Sequence, residues 1–381
     1  MVSKCENISI FDMLPEDDEQ RLLFAPKKST DWRWSMKDDY PKESNGLTVF
    51  SCFACGGGST MGYKLAGCKV LGCCEIDPAM NSVYIKNHKP KYNYLMDIRK
   101  FNEIPIEELP SELLNLDILD ASPPCTTFSM AGEREESWGK KKKFREGQAE
   151  QTLDDLSFVT IDTVAKLRPK VLIMENVEGL LRGEAFSYVR KIYEQLKNVG
   201  YRCRHWLLKG ETMGVPQTRH RVFFIAVRDD VSFDFDDLDM TFNYEIVTYG
   251  EIKSGIGNSV KGKQTQEMLA LAMPSDKCIC DVLKRTVGKE TCFTDMIVWE
   301  DEIMPTIKAS CSIYRGSEKT HISKEDVIAA QTFPVDYDFG NDTYSTVGYI
   351  CGMSVPPIMI KRLVLRLIES GLFDYKENKN A

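Results

Sequence analysis

The sequence predicts an α/β fold, with a mostly parallel sheet covered by helices on both faces and a second, less regular domain beside it. Three observations lead there. Short apolar runs alternate with amphipathic or polar segments from Leu47 to Val227, the alternation stops after Val227, and 381 residues exceed what one minimal core requires. The runs are LTVFSCF (47–53), KVLGCCEI (69–76), LDILDAS (116–122), VLIMENV (171–177), YRCRHWLL (201–208) and RVFFIAV (221–227). Near-continuous apolar runs of this length are what strands buried on both faces look like. Between them, helical patterns cover Ser59–Ala66, Pro78–Asn87, Gln151–Leu167 and Glu184–Val199, each bounded by Gly, Pro or polar residues.

Residues 1–46 mix charges and prolines with Trp32 and Trp34 and show no sustained period, so they read as an N-terminal extension, partly ordered at best. Beyond Val227 the chain turns to DDVSFDFDDLDMTFNYE and a polar, glycine-containing stretch through Lys263, where the second domain is expected to start. Near the end, Val355–Leu372 reads as a helix, with Pro356 and Pro357 tolerated in its first turn and Ile360, Leu363, Val364 and Leu367 on one face.

A net charge of −8 argues against a protein that coats nucleic acid without specificity. The one strong cationic run is Lys140, Lys141, Lys142 and Lys143, followed by Arg145, either a solvated loop or a local phosphate contact. No apolar stretch approaches the roughly 20 residues of a membrane span, and the N-terminal residues lack the pattern of a secretory signal. The 13 cysteines are odd in number and several lie in apolar runs, which points to reduced thiols and a cytoplasmic location. Cys52 with Cys55, Cys68, Cys73 with Cys74, or Cys278 with Cys280 could be counted as zinc ligands, but no second CxxC pair exists and no metal is expected.

The first strand runs into Phe53-Ala-Cys-Gly-Gly-Gly-Ser59, where glycines allow close approach of backbone to a ligand at a helix start, or simply a tight turn. The GK[ST] ending of a phosphate loop is absent, and the dinucleotide spacing fails at Met61. Glu75 ends the second strand, where an acid can hold ribose hydroxyls, and Asp97-Ile98 follow a third apolar stretch. Two carboxylates after a glycine turn suit an adenosine-type ligand without phosphates, although each alone is more often a helix cap or a surface charge. Then a buried strand enters Ser122-Pro-Pro-Cys125, a rigid turn that presents a thiol and a poor place for an inert cysteine. Glu175-Asn-Val177 also closes a strand, so Cys125 and Glu175 are expected to converge on one crevice.

In this order the motifs resemble those of the DNA cytosine-5 methyltransferase family. FACGGG is similar to its cofactor loop, EIDPAMNSVYIKNH to its second motif, SPPCTTFSMAG to its nucleophile motif and ENV to its acidic motif. QTRHR (217–221), AAQTFP (329–334) and GMSVP (352–356) resemble three later ones. The resemblance spans roughly residues 47–227 and 305–360 and implies a Rossmann-like, seven-stranded methyltransferase sheet with a smaller, irregular target-recognition domain. The implied division is 1–46 extension, 47–230 catalytic domain, 231–340 recognition domain, and 341–381 returning to the catalytic domain. It further implies S-adenosyl-L-methionine as methyl donor, bound by Phe53, Gly57, Gly58, Glu75, Ile76, Asp97, Ile98 and Pro124, with Ser354 closing the pocket. Cys125 would attack C6 of a flipped-out cytosine while Glu175 contacts N3, and Arg219 and Arg221 would position the base or the cysteine loop. Lys140–Lys143 fall where the family carries its catalytic loop, which favours contact with DNA phosphates. The implied partners are double-stranded DNA and, in a restriction-modification setting, a cognate endonuclease; a cytoplasmic monomer of prokaryotic or phage origin is expected.

Several positions depart from the family pattern. Ser51 replaces the usual Asp before the glycine loop, Cys55 its first Gly, Thr126 the usual Gln after the nucleophile and Met353 the usual Asn, while His321-Ile-Ser-Lys-Glu325 lacks the usual arginines. Competing readings are an amino-methylating DNA enzyme, which carries an aromatic residue where Cys125 stands, a transfer-RNA methylating branch of the same family, and an inactive DNA-binding relative. The long segment from Asp229 to Met304 favours sequence-reading on DNA, and intact Cys125 and Glu175 favour an active enzyme.

Overall fold

The computed structural model describes residues 26–124, 156–288 and 295–374. Seven strands form one sheet: β1 (Thr48–Cys52), β2 (Lys69–Glu75), β3 (Tyr92–Leu95), β4 (Ile118–Ala121), β5 (Val171–Val177), β6 (Tyr201–Lys209) and β7 (His220–Arg228). Their order in space is β3-β2-β1-β4-β5-β7-β6. β1 to β5 pair in parallel, whereas β7 runs antiparallel to both its neighbours. The reversal has a simple cause: residues 210–219 between β6 and β7 are too few to carry a crossover helix, so the chain folds straight back. All six apolar runs are strands. The seventh, β3, is a short edge strand with Asn93 and Leu95 exposed; it is the brief apolar stretch ahead of Asp97-Ile98, too short and too little buried to stand among the runs.

The helices of six or more residues are α1 (Gly58–Leu65), α2 (Pro78–His88), α3 (Ile98–Glu103), α4 (Leu156–Leu167), α5 (Phe186–Asn198), α6 (Lys263–Ala270), α7 (Ile279–Val287), α8 (Lys324–Ala330), α9 (Tyr344–Met353) and α10 (Pro357–Glu369). Residues 151–155 of the expected third helical pattern lie outside the described residues, and α5 is preceded by a 3-10 turn at Gly183–Ala185. The expected C-terminal helix begins later, at Pro357, with Pro356 as its cap. Strand alternation sends Val49, Ile118, Ile173, Phe223 and Ile225 to the face covered by α1 and α10, where they meet Met61, Ile358 and Leu363. Phe50, Leu119, Leu172, Met174 and Phe224 point the other way, against Val164, Leu167, Ile192 and Leu196 of α4 and α5. α1 and α10 touch at Gly62, where an added Cβ would lie 2.5 Å from Ile360 Cβ.

After β7, a three-stranded sheet of Met296–Val298, Ile313–Arg315 and Thr320–His321 packs with α6 and α7 around Val260, Leu269, Val282, Ile297 and Trp299. From Met304 onward Ile307, Ile322, Val327, Ala330 and Phe333 belong to the main core instead, so residues 231–340 divide their packing between two cores. Residues 26–46 are docked on the main body. Trp34 is buried and donates to Thr332 O (2.8 Å), Ser29 donates to Gly214 O (3.0 Å), and Asp31 pairs with Arg362 and with Lys361 (2.9 Å). Among the described residues no helix is long and apolar enough to cross a membrane.

Where the family's arginines are missing, the buried guanidinium is that of Arg315. It donates to Asp326 (2.7 and 3.1 Å), to Ser254 O (2.6 Å) and to Glu318 (2.7 Å). Asp326 in turn accepts from Tyr249 OH (2.9 Å) and from the N–H groups of Ser254 and Ser323. Both partners are almost fully buried. Removing one leaves the other charge stranded, so Asp326→Ala is expected to lower the unfolding free energy in urea by about 3–5 kcal/mol. The double change Arg315→Met/Asp326→Leu should cost less than the two single losses added together.

Candidate active site

The order of the sheet reverses between β1 and β4, so the loops leaving their C-terminal ends diverge and open a crevice. The β1 loop has a demanding shape: Phe53 (φ 58°) and Cys55 (φ 47°) are non-glycine residues in the left-handed region, followed by Gly57 (φ 84°) as the cap of α1. Three side chains hold it there. Cys55 N–H donates to Glu75 Oε2 (2.7 Å), while Glu75 Oε1 accepts from Asp77 N–H (2.8 Å), so one carboxylate binds the loop to the turn after β2. Burial pushes the Glu75 carboxyl up, and the N–H groups aimed at it pull it back. On the other side, Tyr337 OH (2.5 Å) and His88 Nε2 (3.1 Å) both donate to Gly56 O. Burial holds His88 near a pKa of about 3, hence neutral.

The glycines are required first by the protein itself. A Cβ on Gly57 would lie 2.1 Å from His88 Nε2, one on Gly56 2.6 Å from Ile350 Cγ2, and one on Gly58 2.4 Å from Val355 O. Ser354 therefore does stand against the loop, but its hydroxyl donates to Ile350 O (2.7 Å), within α9 and its cap.

Beside this loop lies a hollow lined by Phe53, Cys74, Ile76, Met96, Asp97 and Ile98. Four of the residues expected from the sequence thus converge, together with Cys74 and Met96, which carried no signal beyond their place next to strand ends. Asp97 caps α3 by accepting from Arg99 N–H (2.8 Å).

At the end of β5, Glu175 pairs in register with Phe223 of β7, and Val177 with Arg221. Arg221 is therefore the diagonal neighbour of Glu175 on one face, and its Nε lies 2.7 Å from Glu175 Oε1. Arg219 does something different. Almost fully enclosed, it donates to Ile307 O (2.9 Å) and Gly352 O (3.1 Å), tying the start of β7 to the C-terminal half while still lying within reach of the charges of Arg221 and Glu175. Gln217 works alongside it, donating to Ala330 O and Gln331 Oε1 (both 2.7 Å), and Gln331 donates to Ser354 O (2.7 Å). Pro124 is half-buried after β4; Cys125, Thr126 and Lys140–Lys143 lie outside the described residues.

One buried acid escaped the sequence reading. Asp120, on β4, is 3% exposed and accepts from Ser51 of β1 and from Tyr63 OH of α1 (3.2 Å). A charged residue in the middle of LDILDAS was the available signal. Burial, and next the charge of Glu175, push the Asp120 carboxyl up to about 7. Because the folded carboxyl keeps its proton well above the 3.8 of an ordinary aspartate, the folded state loses stability as pH rises between those values. Asp120→Asn should remove that loss, so its melting temperature should gain on the wild type steadily from pH 5 to about pH 7. Melting curves that shift in parallel across this range would contradict the assignment.

Comparison with known proteins places the chain in a family. Residues 47–369 match the family model for C-5 cytosine-specific DNA methylases. The chain is 24% identical to the Type II methyltransferase M.HaeII of Haemophilus aegyptius, over 84% of this chain and 92% of that one. It is 26% identical to M.NgoBI of Neisseria gonorrhoeae, over 85% and 93%. With M.Bsp6I of a Bacillus species the identity is 29%, but the match spans only 48% of this chain and 53% of the relative. Among solved structures, a mutant of Spodoptera frugiperda DNMT2 superposes with a TM-score of 0.61 at 16% identity, covering 85% of this chain and all of that one, a likeness of fold. The chain belongs to the C-5 cytosine-specific DNA methylase family.

Proposed function

We propose that this protein transfers a methyl group from S-adenosylmethionine to C5 of cytosine within a specific sequence of double-stranded DNA. The observation that carries the reading is the Glu175–Arg221 pair, set on β5 beside the strand that leads into Pro123-Pro124-Cys125 and across the crevice from the Phe53–Asp97 hollow. The side chains around the hollow are of the kind that an adenosine would need, with apolar Phe53, Ile76 and Ile98 for a ring and Asp97 at its edge, although the loops would have to part to admit one. Glu75, Gly57, Gly58, Pro124 and Ser354 would complete the donor site. When bound, the donor supplies a methyl group activated by its sulfonium.

The protein's own residues supply the rest. A cytosine in a duplex hides C6, so the base must rotate out of the stack. The Cys125 thiolate then adds to C6 while Glu175, protonated and held by Arg221, donates its proton to N3, which gathers electron density at C5. After methylation a water molecule takes the C5 proton, N3 returns its proton to Glu175, and the C5–C6 double bond re-forms as Cys125 is expelled as the thiolate. Lys140–Lys143 would contact phosphates, and the segment from Asp229 to Met304 would read the target sequence. A cognate restriction endonuclease is the natural partner of such an activity, and the protein would work as a cytoplasmic monomer.

Bisulfite sequencing of plasmid DNA from cells expressing wild type or Cys125→Ser should show protected cytosines at a recurring motif with wild type alone. Glu175→Gln should lower kcat by about 10²–10⁴-fold. Protection in neither culture, with folded protein confirmed, would turn the reading toward transfer RNA. In calorimetry, Glu75→Ala should bind S-adenosylmethionine at least tenfold more weakly, about 1.4 kcal/mol or more; unchanged affinity contradicts the donor site.

A further inference from the structure

The two loops that build the crevice grow from adjacent strands, and one side-chain bridge joins their roots. Ser51 and Asp120 are register partners in the β1–β4 pair, and the Ser51 hydroxyl donates to Asp120 Oδ2. Two residues after Ser51 the chain enters the Phe53–Gly58 loop, and two after Asp120 it enters the Ser122-Pro-Pro-Cys125 turn. Tyr63, from the helix that follows the first loop, closes the bridge on Oδ1 at 3.2 Å. Ser51 stands where the family usually has an aspartate, so the acidic group is retained at this level of the sheet but carried by the neighbouring strand.

We propose that Asp120 is a positioning residue for methyl transfer: through Ser51 and Tyr63 it sets the spacing between the donor-side loop and the turn that presents Cys125. The inference rests on the methylation reading above. Three features support it. The carboxyl is enclosed, with both oxygens engaged, so its geometry is fixed instead of averaged by solvent. It bonds across the two strands one position before their ladder ends, where Cys52 pairs with Ala121 and Ser122 N–H donates to Cys52 O at 3.4 Å, so it adds a side-chain tie to the last backbone bonds before the loops diverge. And it lies close enough to Glu175 for the two carboxyls to influence each other. The titratable groups around it, among the described residues, are Cys52 of β1, Tyr63 of α1, Tyr84 of α2 and Glu175 of β5. All are neutral or acidic, so burial and the charge of Glu175 favour the protonated carboxyl, against the pull of the Ser51 and Tyr63 hydroxyls that donate to it.

Bridges of this kind can be exchanged. Placing the acid on β1 and the hydroxyl on β4 rebuilds the same pair with opposite sense, whereas two acids or two hydroxyls do not. The experiment is therefore steady-state transfer of labelled methyl from S-adenosylmethionine to plasmid DNA, with kcat and KM for both substrates. It compares wild type, Asp120→Ala, Asp120→Asn, Ser51→Asp and the exchange Ser51→Asp/Asp120→Ser. Misplacement by about 1 Å can cost on the order of 10²-fold in rate. Asp120→Ala is thus expected to lose about 30- to 100-fold in kcat with KM for DNA unchanged. Asp120→Asn, which keeps the shape, should lose about 5- to 10-fold. Ser51→Asp should lose activity further as pH rises from 6 to 8, because its two carboxyls can share only one proton. The exchange should return to within about threefold of wild type. If Asp120→Ala does not fold, Asp120→Asn and the exchange decide. Wild-type kcat in Asp120→Asn, or an exchange no better than Ser51→Asp, overturns the inference while leaving the methylation reading intact. A folded wild type that labels no cytosine in DNA overturns that reading, and the inference with it.

Discussion

Gln217 occupies a position on which much of the architecture depends. Its side-chain amide is enclosed, and its hydrogen bonds go to segments far along the chain: Ala330 O, Gln331 Oε1 and the N–H of Ile307. A buried amide left unpaired costs about 1–3 kcal/mol per group, so these bonds are close to obligatory once the residue is inside. Through them the two-residue strand Gln217–Thr218, which pairs with Met304–Pro305, holds the chain beyond Met304 against the main body. Arg219 adds two further carbonyls, and Gln331 passes the connection on to Ser354 O. What looks in sequence like a set of separate late motifs is, in space, one polar network under the crevice.

The loop after β1 depends on that network. Its left-handed residues cost free energy and persist only if the surroundings hold them. Tyr337, Ile350, Ser354 and Val355 all reach it from the C-terminal half, and they can do so only because that half is docked. His88 and Glu75 reach it from the opposite side. The β1 loop is thus moulded from both flanks, with its glycines required by close protein contacts before any ligand enters. This is a form of preorganisation: backbone groups are fixed in advance, and binding need not order them.

Electrostatics within the crevice derive from the antiparallel turn of β7. A parallel β7 would not bring Arg221 to the diagonal of Glu175 with this register. The guanidinium gives Glu175 an opposite charge within contact distance, whereas Asp120, one strand further, has hydroxyl donors only. Two carboxyls in neighbouring strands are thereby given different surroundings, which is how a small site separates the tasks of acidic residues.

The α/β class, six of the seven strands and the crevice-facing carboxylate Glu175 were legible in the sequence, because buried strands leave apolar runs and strand ends leave polar residues at predictable places. The cluster of Phe53, Ile76, Asp97 and Ile98 was expected from the resemblance to the family, with only Asp97-Ile98 also read from their place after an apolar stretch. β3 was legible only as a brief apolar stretch before Asp97, since a four-residue edge strand with alternate residues exposed is too short to read as a strand. The parting of Arg219 from Arg221 was not legible: two arginines separated by one residue look alike until the register of β7 and the carbonyls of Ile307 and Gly352 assign them different partners. The same holds for His88, Tyr337 and Asp120, whose roles come from neighbours 32, 281 and 69 residues away. Periodicity and the polar residues at strand ends are local properties of the chain, so the sequence by itself determined the buried strands and the side chains at their ends. Hydrogen-bond partners across the sheet are set by topology and register, and only the tertiary structure decided those.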